Sequence, residues 1–382
     1  MKKHLAVISS LILVGLFSNF SSAFAQVPGK SDLNSNFDYL AKGINIEGWF
    51  VGQYPISDKH LATFMCKDDI QRIKAMGFTH IRFPVEPDLI FDRHNPHKAN
   101  PARLEILAAA VKMIQDTGLG VIVDMHPYDL SVKQKLASDD MYLKDFAEFW
   151  TTVAKRLSFV DNRRIFFETL NEPNFYRYTP DSVSRWRSVQ NLLVSAIRKG
   201  APRNTIIVKG SDWEGVDSLQ KMGKLNDPNL VYSFHFYNMM EFTHQGSRWS
   251  SGPYRDLHDL PYPVSADCQE RVKMLSSSAR QAATFYCQSN FNSRQIEKEF
   301  VKAANWAKAN NVKLYLGEFG VMRSNVSLSD RSRWISDVRA LGEKYGMAWA
   351  IWEYNRVFSI VSQSDPTKIE PSIAKSLNLV KH

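Results

Sequence analysis

The run Arg164-Ile165-Phe166-Phe167-Glu168-Thr169-Leu170-Asn171-Glu172-Pro173 limits the possible folds more than any other stretch of this chain. Its first part is short, apolar and rich in β-branched and aromatic residues, as a strand buried on both faces must be. At its C-terminal end it turns polar, so a carboxamide (Asn171) and a carboxyl (Glu172) stand where a strand gives way to a loop. In a parallel α/β barrel that end is the catalytic face.

A second run ends the same way. Val312-Lys313-Leu314-Tyr315-Leu316 leads into Gly317-Glu318-Phe319-Gly320, a strand pattern closing on another glutamate. Two carboxylates on two strand ends of one barrel can face each other across its mouth, and glycoside cleavage uses such a pair.

The rest of the chain supplies the other units. Lys42 to Trp49 reads as a first strand, and Phe78 to Pro84, Gly120 to His126, Thr205 to Lys209, Leu230 to Tyr237 and Met347 to Trp352 follow the same pattern. Helical spacing fills the gaps at Asp68 to Met76, Pro101 to Thr117, Tyr142 to Leu157, Thr179 to Lys199, Gly215 to Met222, Arg294 to Ala309 and Asp330 to Tyr345. Pro371 to Val380 is expected to close the fold as a last helix. Eight such units without a break in composition predict an α/β fold, a single-domain (β/α)8 TIM barrel. A doubly wound open sheet would want a Gly-rich phosphate turn after its first strand, and Gly43-Ile44-Asn45-Ile46-Glu47-Gly48 is not one. After the sixth strand the rhythm breaks: residues 238–291 are rich in Ser, Gln, Pro and Gly and lack a clear period. They are expected to form a long insertion on the functional face.

With 382 residues, 44% of them hydrophobic, the chain can bury one large core. Lys2 and Lys3 precede an apolar stretch from Leu5 to Phe20, and Ala23-Phe24-Ala25 offers a small-residue cleavage pattern. Residues 1–25 are therefore expected to be a secretory signal peptide, with residues 26–382 as the catalytic domain in a secreted or periplasmic protein. The alternative, an uncleaved anchor, suits the short apolar run less well, and no later stretch is long and apolar enough to span a bilayer. Losing Lys2 and Lys3 lowers the formal charge from +9 to +7, and the remaining excess is scattered rather than gathered in a nucleic-acid footprint. The three cysteines are too few for a zinc framework. In an oxidising compartment Cys268 and Cys287 form the better pair, leaving Cys66 as a buried thiol; three unpaired thiols remain the alternative.

Polar residues interrupt the strand ends at Arg82, His126, Asn171, Glu172, His235, Tyr237, Glu318 and Trp352. Each alone has a structural explanation, but all of them at one end of successive strands is hard to attribute to stability. In this ordered set, from about Gly43 to Trp352, the chain resembles glycoside hydrolase family 5, a retaining family with many endo-β-1,4-glucanases and β-mannanases. The resemblance implies Glu172 as acid/base and Glu318 as nucleophile. It also implies that Asn171 donates to the sugar 2-hydroxyl, that His126 and His235 fix hydroxyls and orient Glu172, and that Trp352 lies beneath the sugar ring. Arg82 and the Tyr237 hydroxyl would favour charge on Glu318, while burial and the Glu318 charge would keep Glu172 protonated. The implied enzyme needs no cofactor or metal and is expected to act as a monomer on a polysaccharide.

Further aromatics on expected loops, Trp49, Tyr128, Phe175, Tyr176, Trp213 and Trp249, are candidates to stack on more sugar rings, Trp213 foremost. Two rival readings are a metal-dependent hydrolase using Asp88, Asp92, His94 and His97, and a secreted carbohydrate-binding protein without chemistry. The first crowds its ligands into one loop instead of strand ends. The second has no support in the sequence, since both glutamates are present. Asn325-Val326-Ser327 is a formal glycosylation sequon relevant only in a eukaryotic secretory route.

Overall fold

Each expected strand forms, and all eight run parallel. The computed structural model describes residues 30–52, 55–158, 161, 163–249 and 252–379. The expected leader, residues 1–25, lies outside the described residues, as does Gln26. The strands are β1 (Lys42–Asn45), β2 (His80–Val85), β3 (Gly120–Met125), β4 (Ile165–Glu168), β5 (Thr205–Lys209), β6 (Leu230–Phe236), β7 (Lys313–Phe319) and β8 (Ala348–Ile351). They close in sequence order into a barrel, with Gly43 of β1 beside Ala350 of β8.

Side chains alternate across a strand, so every second residue points into the barrel. Ile122, Phe166, Ile207, Val231, Tyr315 and Ala348 make the inner apolar layer together with Leu40, which comes up from the segment before β1. Two residues further along β3, β4 and β5, on the same side, stand Asp124, Glu168 and Lys209, all fully buried. The barrel thus carries a charged layer between its apolar floor and its mouth. The larger core lies between the barrel wall and the surrounding helices, where Trp150, Trp186, Trp334 and Trp349 are completely enclosed.

The helices depart from the sequence reading. Helices at Lys30–Phe37, Asp58–Thr63 and Leu130–Ser138 replace expected loops, and the closing helix stops at Ser376. The insertion is also more ordered than its composition suggests, with helices at Cys268–Lys273 and Ser277–Gln288. The second of these buries Ala279, Ala283, Tyr286 and Cys287. Its inner stripe has true helical spacing but is half alanine, which masks the period in a scan for large apolar residues. Cys66 is exposed rather than buried, because it precedes the helix Lys67–Ala75 at its solvent-facing entrance.

Cys268 and Cys287 form a disulfide with Cα atoms 5.6 Å apart, joining these two helices. The bond closes a loop of sequence separation 19, for which chain entropy gives about 3 kcal/mol. Replacing both cysteines by alanine should lower the thermal midpoint while leaving kcat within about twofold, since the bond lies outside the barrel. Thermal unfolding with and without reductant, paired with an activity assay, checks this.

Candidate active site

The two glutamates reach the same spot by two local distortions. Where β7 pairs with β6 the register slips between Phe234 and His235 of β6, so that His235 pairs with Glu318 and Gly317 is the extra residue of a bulge on β7. A Cβ at Gly317 would come within 2.8 Å of Ser233 Oγ and 3.1 Å of His235 Nε2. Glycine therefore lets the bulge form and turns Glu318 toward His235. Glu318 Oε1 accepts a hydrogen bond from Arg82 Nη1 at 2.6 Å, and Oε2 accepts one from the Tyr237 hydroxyl at 2.9 Å.

Glu172 follows β4 with φ 41°, a left-handed conformation that non-glycine residues rarely adopt. Its N–H donates to Glu214 Oε1 at 2.7 Å, and its carboxylate accepts from His235 Nδ1 at 3.0 Å. Glu214 ends a run of three left-handed residues, Asp212, Trp213 and Glu214, with φ 55°, 61° and 58°. Such residues cost about 1–2 kcal/mol each. The run aims the buried Glu214 carboxylate at Lys209, 2.7 Å away, and at His235 Nε2, 3.1 Å away. A carboxylate oxygen of Glu172 and one of Glu318 lie within 4.8 Å of each other.

Arg82 organises the floor of the site and is completely buried. Its guanidinium grips Glu168 through Nε at 2.9 Å and Nη2 at 2.7 Å, and it also meets Asp124 at 2.9 Å and Asn45 Oδ1 at 3.0 Å. Nη2 donates to Asn171 Oδ1 at 3.0 Å, which sets which way the carboxamide points. Asn171 Nδ2 then faces His126 Nε2 at 3.1 Å, while His126 Nδ1 meets Asp124 at 2.8 Å. Asp124 can only accept, so His126 carries its proton on Nδ1 and accepts on Nε2. One amide proton of Asn171 is left to donate to a ligand. Trp352 stacks on His126 with ring centroids 5.7 Å apart and planes at 19°. His126 was expected to orient Glu172; of the two histidines only His235 bonds to it among the described residues.

The charges differ from the sequence expectation. Burial pushes Glu172 toward its neutral form, but the hydrogen bond and charge of His235, helped by Lys133, outweigh it and hold Glu172 below an ordinary carboxyl. Burial also raises Glu318 above the usual carboxylate value, and His235 and Arg82 only partly offset it. His235 itself is raised: burial opposes its charge, but Glu214, Glu318 and Glu172 together prevail. These shifts favour the proton on His235 over Glu172, 3.0 Å away. Two carboxylates and an imidazole this close titrate as one unit.

The aromatic candidates divide. Trp49 is core, donating from Nε1 to the Leu61 carbonyl at 2.8 Å, and Phe175 is core, packed edge-on against Trp186. Tyr128, Tyr176, Trp213 and Trp249 are exposed. Trp213 donates from Nε1 to the Tyr176 hydroxyl at 3.2 Å, with Lys133 Nζ 5.5 Å from its ring centre. Trp249 of the insertion approaches Phe358 and His244, which flank Tyr237.

Sequence reasoning missed Asn45, Asp124, Lys133, Glu168, Lys209 and Glu214. Asp124, Glu168 and Lys209 did carry a signal: a charge inside an apolar strand, at inward parity. Lys133 and Glu214 lie in connections and carried none. Among the described residues, two groups of side chains have the spacing to ligate a metal ion, Glu168 with Glu214 and His235, and Glu172 with His235 and Glu318. Lys209 already bridges Glu168 and Glu214 in the first, and the second is the facing pair itself. Asp88, Asp92, His94 and His97 belong to neither.

A closed parallel barrel with two facing carboxylates at its strand ends is the build of a glycoside hydrolase. The chain belongs to glycosyl hydrolase family 5, whose model, described as Cellulase, matches residues 47–357. It is 28% identical over 346 residues to endoglucanase C of Acetivibrio thermocellus, covering 88% of this chain and 97% of that one. It is 26% identical over 315 residues to cellodextrinase A of Ruminococcus flavefaciens, covering 81% and 84%. Among solved structures, a hyperthermophilic endo-β-1,4-glucanase in complex with substrate superposes with a TM-score of 0.73 at 25% identity, covering 91% of this chain and 99% of that one. No helix among the described residues is long and apolar enough to cross a membrane.

Proposed function

We propose that this glycoside hydrolase cleaves β-1,4-glucan internally by double displacement, with Glu318 as nucleophile and Glu172 as acid/base, working as a secreted or periplasmic monomer. The observation that supports double displacement is the approach of their carboxylate oxygens to within 4.8 Å; the hydrogen bonds of Glu318 to Arg82 and Tyr237, and of Glu172 to His235, support the division of roles. Retention needs carboxyl groups about 5–5.5 Å apart, whereas inversion needs about 6.5–9.5 Å to seat a water between them. Similarity to endoglucanases over most of the chain supports glucan as the substrate.

In the first step Glu318 attacks the anomeric carbon and the C–O bond breaks toward the leaving oxygen. Glu172 hands that oxygen a proton as it takes one from His235 Nδ1 across their hydrogen bond, so Glu172 ends the step as a carboxylate and His235 ends it neutral. In the second step Glu172 accepts a proton from water as the water attacks the anomeric carbon, and returns it to His235 Nδ1. Glu318 departs as a carboxylate, and the β configuration is restored. Asn171 would donate its free amide proton to the 2-hydroxyl, Trp352 would face the ring, and Trp213 would receive a sugar beyond the cleavage point.

The substrate is tested with carboxymethylcellulose, mixed-linkage glucan, xyloglucan, glucomannan and galactomannan, following reducing ends and viscosity. Fast viscosity loss on the β-1,4-glucans is the expected result. Rates on galactomannan far above those on the glucans would make the enzyme a β-mannanase instead, and silence on every substrate would favour a binding protein.

The pH profile follows from the charges. Glu318 must be ionised, and its value is raised, so the acid limb of kcat/KM should lie above the ordinary carboxyl value of 4.5. The shared proton must be present, and His235 is raised, so the basic limb should lie above the ordinary imidazole value of 6.5. With an activated aryl cellobioside, which needs no proton on its leaving group, the basic limb should flatten while the acid limb stays.

A further inference from the structure

Five buried side chains connect the two glutamates underneath the site, and their charges alternate. Glu318 meets Arg82 at 2.6 Å, and Arg82 meets Glu168 at 2.7 Å. Glu168 pairs with Lys209, Lys209 with Glu214 at 2.7 Å, and Glu214 with His235 Nε2 at 3.1 Å. His235 Nδ1 then meets Glu172 at 3.0 Å and stands 3.6 Å from Glu318, which closes the circuit.

We propose that Glu214 is a positioning residue that closes this ring, holding His235 as an imidazolium that stores the proton Glu172 delivers to the leaving group. This rests on the acid/base role proposed for Glu172.

The geometry favours a cation at His235. A neutral imidazole has one N–H and one lone pair. Both nitrogens here face carboxylates, Nδ1 in an aligned hydrogen bond and Nε2 at ion-pair distance without hydrogen-bond alignment. A lone pair aimed at an ionised carboxylate would be repelled, which favours a proton on both nitrogens. The groups facing His235 are Glu172 from the end of β4, Glu214 from the turn after β5 and Glu318 from β7. Lys209 of β5 is occupied by Glu168 and Glu214, and Tyr237, two residues along from His235, bonds to Glu318. Glu214 is also the group that takes the N–H of Glu172, so one side chain fixes both the backbone of the acid and the charge of its partner. Three successive left-handed residues are difficult to explain as a mere connection, and they bring this carboxylate under both.

The test is Glu214→Gln, which keeps an oxygen for the Glu172 N–H and removes the charge. On cello-oligosaccharides the basic limb of kcat/KM should move down by about one pH unit or more, with the acid limb in place. Glu214→Asp should recover most of the shift. Nitrogen-15 NMR of the wild-type imidazoles should show both His235 ring nitrogens protonated at neutral pH, a measurement that requires neither turnover nor a folded variant. A basic limb unmoved in folded Glu214→Gln, or a neutral His235 ring in the wild type, overturns the proposal. Failure of azide rescue in Glu172→Ala would instead overturn the assignment of the acid, while the His235 ring charge still reports on Glu214.

Discussion

Glu318→Ala should lose turnover on every substrate, by on the order of 10⁵-fold, because the carboxylate that attacks the anomeric carbon is removed. Glu172→Ala should behave differently in kind. On cello-oligosaccharides, losing proton transfer should cost about 10²–10⁴-fold, but an aryl cellobioside with a good leaving group should still be glycosylated. The covalent intermediate then accumulates for want of a base, and azide, which needs none, should restore turnover and yield a β-glycosyl azide. Proton NMR of the first product from wild-type enzyme should show the β-anomer. An α-anomer, or azide rescue confined to Glu318→Ala, would overturn the roles while leaving the barrel intact.

Arg82 should give the second large effect, and on two properties at once. It is the fixed cation among Asp124, Glu168 and Glu318, all buried, and it also sets the direction of Asn171. Removing one partner of a buried charge network leaves the others without compensation, at a cost of about 3–5 kcal/mol. Arg82→Ala should therefore unfold well below the wild type and show negligible turnover. Arg82→Lys keeps the charge but cannot fork, since an ammonium is a point charge without the planar geometry of guanidinium. It should fold nearly as stably yet lose about 10²-fold or more in kcat, because Glu318 and Asn171 are no longer held by one rigid group. Thermal unfolding and steady-state kinetics separate the two properties. A Lys variant with wild-type kcat would show that charge alone suffices.

Much of this enzyme was legible without coordinates, for a physical reason. A strand enclosed between a barrel interior and a layer of helices must be apolar, and its end must turn polar where it meets solvent, so Ile165–Glu168 and Lys313–Phe319 announce both their burial and their site-facing ends. Local chemistry of this kind located Arg82, His126, Asn171, Glu172, His235, Tyr237, Glu318 and Trp352, and the structure brings them to one mouth. Pairing Cys268 with Cys287 was equally local, a matter of two cysteines in one segment.

Tertiary structure decided which of these groups touch, and so which of them holds the proton. Arg82 and Glu318 are 236 residues apart in sequence, and Glu172 and His235 are 63 apart. Their distances are set by barrel closure, by the bulge at Gly317 and by the left-handed run at Asp212–Glu214, none of which leaves a periodic trace. Burial and the Glu318 charge, the effects foreseen from sequence, argued for a protonated Glu172. The opposing field of His235 required knowing that Glu214 stands behind it. Period and polarity act along the chain and can be read there, whereas a charge state is a sum over neighbours in space, and those neighbours exist only once the barrel has closed.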